Sequence, residues 1–336
     1  MVLRPRSDRT FLKMLVMLFA ASTVSFAALQ TDSTDPPYFD SGTNGLWVGY
    51  QWLTGINVRT GRPVSEHETE QFLELIKNRG IRYVFVRAGP VLPSGEIAQK
   101  PGVFFHQLQE RDPETMYLPW VTGDLEQLDL FSPIWRKAFI DQLEQLRHQG
   151  ARGIHLNIEP ISDSEPGYLD LLHEIRLELG SSFFISHATR SAGLWGVSFG
   201  ELKQYLWSGK FYRSTMTQAN QTVVMAYNTR LKQEMAYTAF VEHQTSLLVD
   251  WGCGLPGHHI LIGVPAYEHA PRYSDPATEN IRTASRGIRS ALNNAEDDVK
   301  CFDGVSVYAH WTTDSTEWAD FRTYWTGSRT PQLRGT

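Results

Sequence analysis

The run Gly153-Ile154-His155-Leu156-Asn157-Ile158-Glu159 alternates in character. As a strand it turns His155, Asn157 and Glu159 to one face and Leu156 and Ile158 to the other. Glu159 closes the run just before Pro160. A carboxylic acid at a strand end, half desolvated by aromatic neighbours, holds its proton near neutral pH and can hand it to a leaving group. The competing use of such a residue is structural, as a buried carboxylate paired with an arginine such as Arg87 or Arg152. Glu268 follows a later apolar run and offers a second carboxylate. Facing Glu159 across a site, it would complete an acid and nucleophile pair.

These residues need elements to hold them, and strand and helix signals alternate along the body. Strands are expected over 46–52, 81–86, 116–121, 153–158, 183–186, 222–226, 260–264 and 304–308. A capping box at Ser65 and Glu68 opens one helix, and Ser132 followed by Pro133 opens another. Further helices are expected over 166–179, 233–249 and 278–293, while the fifth-to-sixth connection is long and poorly periodic. This order fits an α/β fold, a single (β/α)8 TIM barrel, with Glu159 at the C-terminal rim where barrel sites lie. An open doubly wound sheet is the alternative, but no Gly-rich phosphate loop follows the first strand.

Arg4, Arg6, Arg9 and Lys13 precede a short apolar stretch, and Ser25-Phe26-Ala27 supplies small residues for cleavage. Residues 1–27 therefore read as a signal peptide, 28–44 as a flexible leader and 45–336 as the barrel. The implied location is secreted or periplasmic, where Cys253 and Cys301, which lack CxxC spacing, are expected to form a disulfide. No metal and no cofactor is expected. A formal charge of -6 without a basic run leaves no footprint for nucleic acid, or for a membrane beyond the signal peptide. Aromatic residues make up 12% of the chain, including ten Trp, and such rings pack on the apolar faces of sugars as well as in cores.

The 153–159 run resembles the fourth-strand motif D-G-x-D-x-D-x-E of glycoside hydrolase family 18, the chitinases and endo-N-acetylglucosaminidases. Val224-Met225-Ala226-Tyr227-Asn228 resembles the family's M-x-Y-D, and Gly263-Val264-Pro265-Ala266-Tyr267 its G-x-P-x-Y. Gly49-Tyr50 matches the G-Y of its first strand, and 304–311 lies where the eighth strand supplies an aromatic floor.

The resemblance implies a retaining glycosidase acting on an oligosaccharide or polysaccharide that contains N-acetylhexosamine. In that family the substrate's own acetamido oxygen attacks the anomeric carbon. Glu159 would then be general acid and base, Asn157 would orient the acetamido group, and Tyr227 would hydrogen-bond its carbonyl. His155, Met225, Asn228, Tyr50, Tyr267, Trp311 and Tyr308 would line the sugar site. Where the family carries Asp, this chain has Arg152, His155, Asn157 and Asn228. An N-x-E pattern is also similar to glycoside hydrolase family 85. Two alternatives stay open: a two-carboxylate glycosidase using Glu268 as nucleophile, and a non-catalytic carbohydrate-binding barrel.

Among smaller signals, His187 and His310 fall near strand ends, and Asp124, Asp163, Glu165 and Asp314 fall in loops beyond strands. His258-His259, on the approach to the seventh strand, belongs to the opposite, stability face.

Overall fold

The computed structural model describes residues 39–193, 206–267, 274–295 and 299–327. Eight parallel strands close into a barrel in chain order. They are β1 Asn44–Val48, β2 Ile81–Pro90, β3 Met116–Asp124, β4 Gly153–Glu159, β5 Phe184–Thr189, β6 Gln221–Met225, β7 His259–Pro265 and β8 Phe302–Tyr308. The α-helices among the described residues are α1 Gln51–Thr54, α2 Glu66–Asn78, α3 Val103–Arg111, α4 Pro133–His148, α5 Pro166–Leu179, α6 Gly209–Met216, α7 Glu234–Gly252, α8 Ile281–Asn293 and α9 Ser315–Asp320, with further helical turns at Leu125–Gln127 and, C-terminally, Phe321–Thr326.

Local signals account for most of these boundaries. The Ser65 hydroxyl accepts from the Glu68 N–H while the Glu68 carboxylate accepts from the Ser65 N–H, closing the expected capping box of α2. Ser132 caps α4 ahead of Pro133, and Asn280 caps α8. The long connection from β5 to β6 contains α6; residues 194–205 of it lie outside the described residues.

The first strand departs from expectation. It begins at Asn44 and ends at Val48, the last residue paired with β2. Tyr50 already has helical torsions as the N-cap of α1, and Gly55, at φ 74°, turns the chain out of that short helix. Tyr50 is thereby swung out of the sheet and over the barrel mouth.

The leader expected to extend to residue 44 is also shorter than that. The hydroxyls of Ser41 and Thr43 donate to the Asp303 carbonyl at 2.9 and 2.6 Å. Asn44 is buried, and its Oδ1 accepts from Trp325 Nε1 at 2.8 Å and from the Val305 N–H at 3.1 Å. One amide thus ties the first strand to the last and to the C-terminal helical turn. The proposed signal peptide lies outside the described residues.

The lumen is packed with large side chains, among them Trp47, Tyr83, Phe85, Leu118 and Trp120. It is a filled core, and the site can only lie above it. At the opposite end Cys253, which ends α7, and Cys301, which precedes β8, form the expected disulfide, with Cα atoms 4.9 Å apart. Both sit on the N-terminal side of the strands they precede, away from Glu159. Among the described residues no helix is long and apolar enough to cross a membrane, and no three His, Cys, Asp or Glu residues converge as a metal site.

Candidate active site

Strand β4 carries the polar face across from β3, with His155 beside Trp120, Asn157 beside Thr122 and Glu159 beside Asp124. Depth separates their roles. His155 is fully buried and stacks on Phe85 with centroids 3.8 Å apart. Trp47 Nε1 donates to His155 Nε2 at 3.2 Å, which places the ring proton on Nδ1. Nδ1 donates to Ser186 Oγ at 2.8 Å, and Ser186 donates to Gln221 Oε1 at 2.7 Å. Burial holds this imidazole well below its ordinary pKa, so it stays neutral. His155, expected to line the sugar site, instead belongs to the floor beneath it, with both nitrogens occupied.

Asn157 lies one step higher. Its Oδ1 is buried and has no hydrogen-bond partner among the described residues. An orphaned buried acceptor is costly, and this one remains able to accept a hydrogen bond. Glu159 reaches the rim and keeps solvent access. The surrounding walls still desolvate its carboxyl, raising it above the ordinary carboxylate range against the pull of Arg190. Neither expected arginine partner takes it. Arg152 donates to the Pro113 carbonyl, and Arg87 lies over the rings of Tyr50 and Trp120.

Tyr227 and Tyr308 complete the wall near Glu159. Their rings stack with centroids 5.1 Å apart, and Tyr267 meets both edge-on. Burial, then Tyr267, Tyr308 and the Glu159 charge, holds the Tyr227 hydroxyl far above the phenolic range, so it is a proton-bearing donor. Gly263 makes room for this ring. A Cβ there would lie 2.9 Å from the Val224 carbonyl oxygen, 3.1 Å from Tyr227 and 3.3 Å from Trp47. Met225, half-buried, ends β6 just below Tyr227.

The turn after Tyr227 is set from a distance. Asn228 and Arg230 take positive φ values of 59° and 64°, which points successive N–H groups inward. The buried Glu279 carboxylate accepts from the N–H groups of Asn228 and Thr229 at 2.7 and 2.9 Å, and from the Thr229 hydroxyl at 2.6 Å. Asn228 is left with its side chain exposed, where its Oδ1 accepts from the Tyr267 hydroxyl at 3.4 Å.

A cleft of about 540 Å³ is lined by Tyr50, Asn57, Arg59, Arg87, His310 and Trp311. Trp311 is 39% exposed and parallel to Trp120, with centroids 6.4 Å apart at an interplanar angle of 8°. The indole thus offers an apolar aromatic face to solvent. His310 packs edge-on against Trp52 and Phe72, and burial lowers its pKa to about 4.

His187 is not at the site. It lies behind the sheet between Tyr168 and Thr222, and burial lowers its pKa to about 3. The loop acids are largely structural: Asp124 and Asp314 cap helical turns, and Asp163 accepts from the Ser208 N–H. Glu268 lies outside the described residues. Sequence reasoning missed Arg190, because β5 was expected to stop at 186 rather than at Thr189. It also missed Arg87 as a wall of the cleft, and Glu279, whose only local signal is the cap of α8 beside it.

Many solved structures share this architecture, three of them as follows. A family GH18 chitinase from Chromobacterium violaceum aligns over 88% of this chain and 91% of its own, with 14% identity and a TM-score of 0.55. The spore cortex-lytic enzyme SleL of Bacillus cereus aligns over 84% and 75%, with 12% identity and a TM-score of 0.54. A fungal endo-β-N-acetylglucosaminidase of glycosyl hydrolase family 18 aligns over 82% and 96%, with 16% identity and a TM-score of 0.50. The chain has the fold of these family 18 barrels. No protein-family model and no curated protein matches it by sequence. At such identities the shared property is the barrel, and the chemistry has to be argued from this chain's own residues.

Proposed function

We propose that this protein is an exported glycoside hydrolase that cleaves an N-acetylhexosamine-containing glycan with retention, using the substrate's acetamido group as nucleophile. One observation carries the reading. Glu159, a carboxyl raised by desolvation, shares a strand face with an orphaned Asn157 Oδ1, and its charge reaches the hydroxyl of a proton-bearing Tyr227. An acid, an acceptor for an amide N–H and a donor for an amide carbonyl are what this mechanism requires.

In the first step Glu159 gives its proton to the glycosidic oxygen as the C1–O bond breaks. The acetamido carbonyl oxygen attacks C1 from the other face, held by the Tyr227 hydroxyl while Asn157 Oδ1 accepts from the acetamido N–H. In the second step the Glu159 carboxylate takes a proton from water, and the resulting hydroxide equivalent opens the cyclic intermediate at C1. Two inversions give net retention. Asn157 is neutral, so it orients the acetamido group without adding charge. His155, Ser186 and Gln221 hold the floor rigid beneath it.

Hydrolysis of chromogenic N-acetylglucosaminides and glucosides by wild type and Glu159→Gln tests the reading. The variant is expected to lose activity by roughly 10²- to 10⁴-fold while still binding glycan, and glucosides are expected to be inert. Cleavage of glucosides, with Glu268→Gln as damaging as Glu159→Gln, would establish a two-carboxylate mechanism instead. Glycan binding without turnover by wild type would make the barrel a lectin.

A further inference from the structure

Arg87 is an unusual wall for a sugar cleft. It projects from β2 and lies over the Tyr50 ring at 4.9 Å and the Trp120 ring at 5.6 Å. Its Nε is buried without a hydrogen-bond partner, and the guanidinium makes no ion pair among the described residues. Arg282 also has an unpartnered buried Nε, but its guanidinium pairs with Glu234. Arg136 pairs with Glu174, and Arg176 donates to three carbonyl groups and to Asn220. Arg59 lines the same cleft from the segment after α1, and it too makes no ion pair among the described residues.

Two aromatic rings flank the Arg87 guanidinium and leave its Nε unpaired. That geometry presents a guanidinium for bidentate contact with a carboxylate. A neutral oligosaccharide has no group that needs such a partner. The chain's net charge of -6 would repel an anionic glycan, so local cations in the cleft oppose the field of the whole molecule. Trp311, on the same cleft, supplies the stacking surface for the ring that would carry the anion.

We infer that the Arg87 cleft is a subsite for a carboxylate-bearing sugar, so that the substrate is an acidic glycan in which N-acetylhexosamine carries or adjoins a carboxylate. This rests on the proposed function, because the subsite adjoins the Glu159 wall through Trp120 and Tyr308.

The test compares binding by Glu159→Gln protein of four tetrasaccharides. They are one of alternating N-acetylglucosamine and N-acetylmuramic acid, its carboxyl-reduced counterpart, one of hyaluronan, and chitotetraose. At least one acidic probe is expected to bind about tenfold or more tightly than the reduced and neutral probes, the worth of one charged hydrogen-bonded contact. The acidic probe that binds identifies the source of the carboxylate. The preference should shrink in high salt and collapse in Arg87→Gln, while Arg87→Lys keeps part of it. Wild-type kcat/KM on the same probes gives a second readout that needs no variant. Equal affinity for acidic, reduced and neutral probes would overturn the acidic subsite and leave the glycosidase reading standing. Failure of wild type to bind or cleave any of the four would overturn both.

Discussion

Tyr227 and Tyr308 stack with ring centroids 5.1 Å apart and planes within 20°, and the charge of Glu159 acts on both hydroxyls. The stack separates what each ring does from what its hydroxyl does. Tyr227→Phe keeps the stack and removes the hydroxyl proposed to donate to the acetamido carbonyl. It is expected to lower kcat roughly 10- to 100-fold, with a melting temperature near wild type. Tyr227→Ala should lose both. Circular dichroism melts alongside single-turnover rates check the separation, and an unchanged rate in the Phe variant removes the hydroxyl from the mechanism.

The raised Glu159 carboxyl makes activity and stability move together with pH. The acid form is required in the first step, so kcat/KM is expected to fall on the alkaline side through the raised pKa. Arg190 pulls that value down, so Arg190→Gln should shift the alkaline limb upward. Burial disfavours the charged carboxylate in the folded state alone. Between the unfolded pKa, near the usual 4.5, and the raised folded value, the folded state holds the extra proton and stability falls as pH rises. Glu159→Gln removes this loss, so it should melt above wild type at pH 8 and near it at pH 4. Melts of the two proteins across that range decide it, and parallel curves would show that burial does not strain the carboxylate.

Asn157 is expected to tolerate Asp better than Ala. Either oxygen-bearing side chain can accept the acetamido N–H, whereas Ala leaves the group unoriented and a void beneath it. Equal kcat/KM for wild type and Asn157→Ala would show that the orphaned Oδ1 serves no substrate.

Glu279 holds the turn that follows Tyr227 through two backbone N–H groups and one hydroxyl. An amide in its place presents an NH2 toward donors that need an acceptor. Glu279→Gln is therefore expected to cost about 1 to 3 kcal/mol and to raise KM by loosening Asn228 and Tyr267. Chemical denaturation and steady-state kinetics measure the two effects, and a change in neither would show that the turn holds without the carboxylate.

The Cys253–Cys301 bond closes a loop of 48 residues in sequence separation on the face away from Glu159. In the chain-entropy model its loss costs about 4 kcal/mol. Reduction should lower the melting temperature by several degrees and leave kcat unchanged well below it. Loss of activity in a folded, reduced sample would place the bond in communication with the site.

Much of this protein is decided by patterns that are local along the chain. The alternation of 153–159 by itself put Asn157 and Glu159 on one face, since successive side chains of a strand must oppose each other. The caps at Ser65 and Ser132, and the recurring strand and helix signals, were likewise sufficient for the barrel. Where a strand ends is different, because the ladder with its neighbours decides it. Pairing with β2 stops β1 at Val48 and frees Tyr50 for the cleft, and β5 extends to Thr189 and delivers Arg190. Lateral relationships are equally invisible in one dimension. Depth in the lumen took His155 away from the rim and bound it to Trp47 and Ser186. Closure brought Glu279 to Asn228 and laid Arg87 over Tyr50 and Trp120. Sequence determines which face a residue occupies, because that is a property of its own strand. Only the closed barrel determines what stands opposite, because that depends on residues fixed by packing rather than by spacing.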